Sequence, residues 1–127
     1  MKPIYCKTIP HSEHRYPTVG DYWETDDSIE VRVSDLGNPV MEAAIKIHEI
    51  VELALLKNRN VILSITDDFD IQFEQERSLG KHAPDDEPGD DPRCPYGPEH
   101  RFAENIERLF IERAGIRWDD YAARMPQ

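Results

Sequence analysis

Two stretches of the chain place a histidine four residues ahead of a glutamate: "KIHEIVELALL", with His48 and Glu52, and "EHRFAENIERLF", with His100 and Glu104. On a helix this spacing stacks the two side chains one turn apart, so both reach toward one point. Imidazole nitrogen and carboxylate oxygen at one point suit Zn²⁺, Fe²⁺ or Mn²⁺. With His48 at zero on a wheel of about 100° per residue, Met41 and Glu52 fall within roughly 40° of it, and Ala44, Ile45, Val51 and Leu55 within about 60° on either side. The polar sector lies around Glu42, Lys46, Glu49 and Lys57, with Glu49 at the edge of the apolar face. The second stretch repeats the arrangement. Glu104 and Glu107 fall within roughly 40° of His100, amid Ala103, Phe110, Ile111 and Ala114, while Arg101, Asn105, Arg108 and Glu112 face away.

A buried carboxylate without a partner is costly. Two helices that share this feature are expected to share its remedy. One remedy is a cation held between them by His48, Glu52, His100 and Glu104. The other is direct pairing without metal, His48 with Glu104 or Glu107 and His100 with Glu52. Arg108 and Arg113 are further candidates to neutralise the carboxylates.

The elements that must position these residues can be read from pattern. "IYCKTI" (Ile4–Ile9) is a short β-prone run bounded by prolines. "GDYWET" and "SIEVRV" flank Asp26-Asp27 as a hairpin, and the alternation of Ile29, Val31 and Val33 with Glu30 and Arg32 buries one face of its second arm. A first helix follows, with Asn38 as N-cap and Pro39 in its first turn, running to about Lys57. A second is predicted from Ser64, with Ser64 and Asp67 as a capping pair, carrying Ile65, Phe69 and Phe73 to about Ser78. A third begins at Pro98 and stops at Gly115, and "WDDYAARM" forms a short last helix whose Trp118 and Tyr121 pack back on the body. The expected fold is α+β: a small N-terminal antiparallel sheet (1–36) packed against three main helices (38–125), within one domain spanning 1–127.

Between the second and third helices, residues 78–97 form an acidic loop rich in Pro and Gly. Loops of this length inside a small domain are usually functional or disordered. "PDDEPGDDP" lacks the spacing of an EF-hand loop, which leaves a solvated segment or a lid over the helix-borne site. "HSEHRY" (His11, His14, Arg15, Tyr16) reads as a solvated loop able to reach a site. Cys94 is a possible ligand or thiol, but a lone cysteine is more often neither.

The net charge of −11 disfavours phosphate backbones and anionic membranes as partners. The N-terminus has no apolar run of the length a signal peptide or membrane span needs. Only Cys6 and Cys94 are present, so a disulfide framework is not expected and a reducing cytoplasm is the default. A protein or peptide remains as the expected substrate or partner. No pattern encodes an oligomeric state.

"HEIVE" (His48 to Glu52) resembles the HExxH motif of the zincin metallopeptidases, with Glu52 replacing the second histidine. The strand "SIEVRVSDL", a short turn and the helix resemble a minimal zincin core. The resemblance implies zinc, with iron or manganese as alternates, His48 and Glu52 as ligands, His100 or Glu104 completing the shell, and Glu49 as general base. It implies a metal-dependent hydrolase of peptidase-like type. "EIVE" and "ENIE" also resemble the paired carboxylate motifs of the MazG-like Mg²⁺-dependent NTP pyrophosphohydrolases, to which Asp67, Asp70 and Glu74 could add ligands. Across most of its length, on "HRYPTVGDYW", "FDIQFE", "EPGDDPRCPYGPEHRFAENIER" and "WDDY", the chain resembles small uncharacterised proteins of tailed phages and prophages. That implies a host-cytoplasmic accessory or inhibitor protein acting by protein–protein contact as the non-catalytic alternative.

Overall fold

Asp26 and Asp27 turn the chain between β2 (Gly20–Glu24) and β3 (Ile29–Ser34), and the two strands pair antiparallel as the alternation predicts. Ile29, Val31 and Val33 are fully buried. The computed structural model describes residues 1–126, leaving Gln127 outside the description. β1 (Ile4–Ile9) joins the other side of β3, giving the strand order β1-β3-β2. Here the structure departs from an all-antiparallel sheet, because β1 runs parallel to β3, with Cys6 opposite Val31. The long connection through the 3₁₀ turn His11–Glu13 lets the chain pass from one edge of β3 to the other. A tight hairpin cannot make that crossing.

Among the described residues four α-helices complete the α+β fold: α1 (Pro39–Asn58), α2 (Ser64–Ser78), α3 (Gly97–Arg113) and α4 (Trp118–Ala123). The Asn38 side chain accepts from the backbone N–H groups of Val40 and Met41, as an N-cap should. The expected Ser64/Asp67 cap on α2 does not form. Leu63 occupies the N-cap without a side-chain bond, Ser64 begins the helix, and the Asp67 carboxylate is taken by the Arg15 guanidinium at 2.9 Å. A charge-assisted bond outcompetes a capping amide. Gly115 closes α3 at φ +78°, letting the Ile116 N–H reach the Ile111 carbonyl.

Helix α1 is the centre of the molecule. Ala44, Ile45, Leu53 and Leu56 are buried within the shared core, and α1 packs against β2, β3 and α3. Its alignment with α3 brings the two His/Glu stripes face to face. Among the described residues no helix is long and apolar enough to cross a membrane.

Candidate metal centre

His48 sits at the α1–α3 contact with both ring nitrogens engaged. Nδ1 lies 2.7 Å from Glu107 Oε1, so it carries the proton and donates to that carboxylate. Nε2 lies 3.2 Å from Glu52 Oε2 and 3.2 Å from His100 Nδ1, and His100 Nδ1 lies 3.2 Å from the same Glu52 oxygen. His48 Nε2, His100 Nδ1 and Glu52 Oε2 therefore mark a triangle with equal edges. The second oxygen of each buried carboxylate is held by a phenol: Tyr22 donates to Glu52 Oε1 at 2.6 Å, and Tyr121 donates to Glu107 Oε2.

The electrostatics follow from this burial and pairing. Burial alone would lower the His48 pKa, but the Glu107 and Glu52 carboxylates overcome it and push it up to about 11. His100 behaves alike, with burial opposed by Glu52 and Glu87, and is pushed up to about 10. Burial would raise Glu52, yet the two imidazoles hold it below the usual carboxylate range. Without a metal the cluster is thus an ion-paired network. A metal must displace ring protons to enter, so binding releases protons.

Glu49 lies apart from this network. It makes no hydrogen bond among the described residues, and its carboxylate faces the same cleft across Gly20, where a Cβ would come within 2.5 Å of Glu49 Oε1. Its surface is partly open to the cleft, but protein surrounds the carboxyl group. That burial, with the charge of Glu52, raises its pKa well above the ordinary value. The cleft has a volume of about 550 Å³ and reaches from Tyr16 and Gly20 past His48 to His100 and the long loop.

Not every expected residue joins the cluster. Glu104 is half-buried along the cleft wall and makes no hydrogen bond among the described residues. One turn further along α3, Glu107 takes the place beside His48 instead. Burial and the nearby Glu87 and Asp90 raise the Glu104 pKa. The direct pairing of His48 with Glu107 and of His100 with Glu52 occurs as the helical wheel allows. Arg108 does not neutralise a carboxylate of the cluster; its guanidinium lies over the Trp118 ring, 4.0 Å from the centroid. Tyr22 and Tyr121 carry no signal in the sequence beyond their apolar periodicity.

The "HSEHRY" loop is a fastening rather than a free arm. His11 Nδ1 and His14 Nε2 each lie 2.9 Å from the buried Ser34 hydroxyl. Arg15 grips Asp21 through two bonds and ties β2 to Asp67 of α2. Tyr16 donates to Asp70 at 3.1 Å, and Tyr96 donates to the other Asp70 oxygen. Despite these donors, burial, with the charge of Glu52, raises Asp70 from 3.8 to about 7.

That shift carries a pH signature. Between the unfolded and folded pKa values the native state holds the extra proton, so this group's effect on stability falls as pH rises from about 4 to 7 and is constant above. Asp70→Asn is expected to match the wild type near pH 4 and to exceed it at pH 8 by on the order of 2 kcal/mol. The full ~1.4 kcal/mol per pH unit is reduced because water reaches part of the carboxyl group. Urea midpoints of both proteins across this range check it. A variant less stable at pH 8 would refute the reading.

The loop 79–96 is neither a disordered tether nor loosely solvated. It carries a 3₁₀ turn at Pro88–Asp90, and Cys94 and Tyr96 are buried in the core. Arg77 donates to the carbonyls of Ala83 and Asp86, and Arg93 pairs with Glu76 and Asp91. The loop lies across His100 and forms the rim of the cleft.

Comparison with known proteins finds no family model that matches the chain, no curated protein similar to it in sequence and no solved structure similar to it in fold.

Proposed function

We propose that the chain is a divalent-metal-dependent hydrolase whose metal is held by His48, Glu52 and His100. The triangle of ligand atoms carries this reading. A tetrahedral ion with bonds of ~2.0–2.2 Å separates its ligands by about 3.3 Å, and all three edges measure 3.2 Å. The supporting shell also fits. Ligating histidines usually donate their other nitrogen to a carboxylate, as His48 does to Glu107, and ligating carboxylates are themselves hydrogen-bonded, as Glu52 is by Tyr22.

Two imidazoles and one carboxylate form a donor set suited to catalytic zinc, with iron or manganese as alternates. His48, Glu52 and His100 would hold such a metal from the cleft wall, and a bound metal would supply an activated water there. A metal lowers the pKa of such a water to about 7. Glu49, whose carboxylate faces the same cleft without a hydrogen-bond partner among the described residues, would serve as the general base, holding the proton taken from water until it passes to the leaving group.

The zincin likeness applies to the helix and its ligands, less to the way a substrate is held. In β2 the outward N–H and carbonyl of Gly20 both bond the Thr18 hydroxyl, and the Tyr22 carbonyl accepts from Arg15 at 3.4 Å. A peptide laid along this edge as an added strand finds those groups taken. Anionic substrates are disfavoured too. The one Arg or Lys along the cleft among the described residues is Arg77, already paired with Glu74, while Glu49, Asp70 and Glu104 stand on its walls. This speaks against a nucleoside triphosphate and for a neutral or cationic substrate, a peptide terminus or side chain among them.

The test is metal content after purification in chelator-free buffer, with melting followed before and after chelation. About one ion at this centre is expected, and a melting temperature that falls on chelation. A protein without metal whose melting ignores both chelator and added Zn²⁺ would leave the cluster as a hydrogen-bonded core and favour the non-catalytic accessory reading.

A further inference from the structure

His100 has a second nitrogen that the centre described above does not use. Nε2 is buried without a hydrogen-bond partner among the described residues, a state that few buried polar atoms in folded proteins keep. It points out of the α1–α3 contact toward the loop. Glu87 Oε2 lies 3.4 Å from it and Asp90 Oδ1 3.9 Å, distances of ion pairing without hydrogen-bond alignment. One ligand atom from each of these three residues lies within 4.8 Å of the other two.

The loop is built to bring the carboxylates there. Glu87 and Asp90 bracket the Pro88–Asp90 turn, and the backbone of buried Gly89 lies against the imidazole, where a Cβ would collide with the ring. Any other residue at Gly89 would lift the turn, and with it both carboxylates, away from Nε2.

We propose that His100 bridges two divalent cations, one through Nδ1 with His48 and Glu52, the other through Nε2 with Glu87 and Asp90. The second position rests on the metal-centre reading and extends it. Each ring nitrogen gives its lone pair to one ion, and the ring protons leave to solvent. The inner ion would rest on His48, Glu52 and His100, side chains of which little is exposed, at the inner wall of the cleft. The outer one sits at the cleft mouth on two solvent-reached carboxylates, so it keeps water ligands and binds more weakly. It fastens the loop to α3 and offsets the negative rim that a substrate must pass.

Stripped full-length protein is titrated with Zn²⁺, and ions per chain are counted by native mass spectrometry, for wild type and for Glu87→Gln/Asp90→Asn. Both substitutions are on solvent-reached side chains, so folding is retained; far-ultraviolet circular dichroism verifies it. Wild type is expected to take two ions, the second at least tenfold weaker, and the double variant one. A single ion in both proteins overturns the bridge and leaves the inner centre standing. A second ion that persists in the double variant also overturns it, by placing that ion elsewhere. No ion in either protein overturns both readings.

Discussion

Replacing His48 with alanine is expected to destabilise the protein by about 3–5 kcal/mol and to abolish metal binding at the inner centre. The size follows from what the imidazole separates. Glu52 and Glu107 are each less than a tenth exposed, and among the described residues His48 is the one group that bonds both. Removing one member of a buried charged network leaves uncompensated charge, which typically costs about that much. His100 and the Tyr22 phenol still hold Glu52, but Glu107 keeps only the neutral Tyr121 phenol, which does not balance an anion. The effect also crosses elements, since Glu107 belongs to α3 and Glu52 to α1, so the variant loosens the helix pair on which the cleft is built. Urea denaturation at pH 7 in chelator measures this structural part alone. Repeating it with Zn²⁺ adds the binding contribution, which is about 2.7 kcal/mol when the free ion is a hundredfold above its dissociation constant. Wild type is expected to gain this increment with Zn²⁺ and the variant to lose the share that belongs to the inner centre. A loss below ~1 kcal/mol in chelator would mean that the network does not hold the helices together.

The sequence carried more of this centre than of its surroundings. The step from His48 to Glu52 and the recurrence of His and Glu on α3 are local patterns, and helical geometry alone brings them onto one face. The wheel places Glu104 and Glu107 almost equally close to His100, and only the axial offset of α1 against α3 decides that Glu107 meets His48. That offset is set by packing along the whole contact, so no local pattern encodes it. The tyrosines were legible as buried residues but not as donors, because a phenol in a core position has the periodicity of any apolar residue. The direction of β1 was not legible either, since a six-residue β-prone run is the same read against a parallel or an antiparallel neighbour. The loop was visible as an anomaly of length and charge. Its fit to His100 depends on Gly89, whose missing side chain matters only once the imidazole is in place.

Glu49→Gln is expected to lower hydrolysis about 10²–10⁴-fold while leaving the fold and the metal intact, the effect of removing a general base from its reacting water. The two consequences separate because Glu49 takes no part in the network that holds the helices: no hydrogen bond among the described residues ends on it, and neither His48 nor Glu52 depends on it for a partner. Its own carboxyl is strained electrostatically by burial and by the charge of Glu52. The neutral amide, which is of the same size and fits beside Gly20 equally well, should therefore melt no lower than wild type. A structural acid would give the opposite pattern, loss of stability with no activity to lose. A ligand would give a third, loss of metal with loss of activity. Metal content, melting temperature and the hydrolysis rate of p-nitrophenyl acetate, an activated neutral ester that the acidic cleft admits, distinguish the three. A variant with wild-type rate and wild-type metal would remove Glu49 from the mechanism. A variant that loses its metal would make Glu49 a ligand, and the proton acceptor would then have to be found among the other unbonded carboxylates of the cleft, of which Glu104 is nearest in chain to His100.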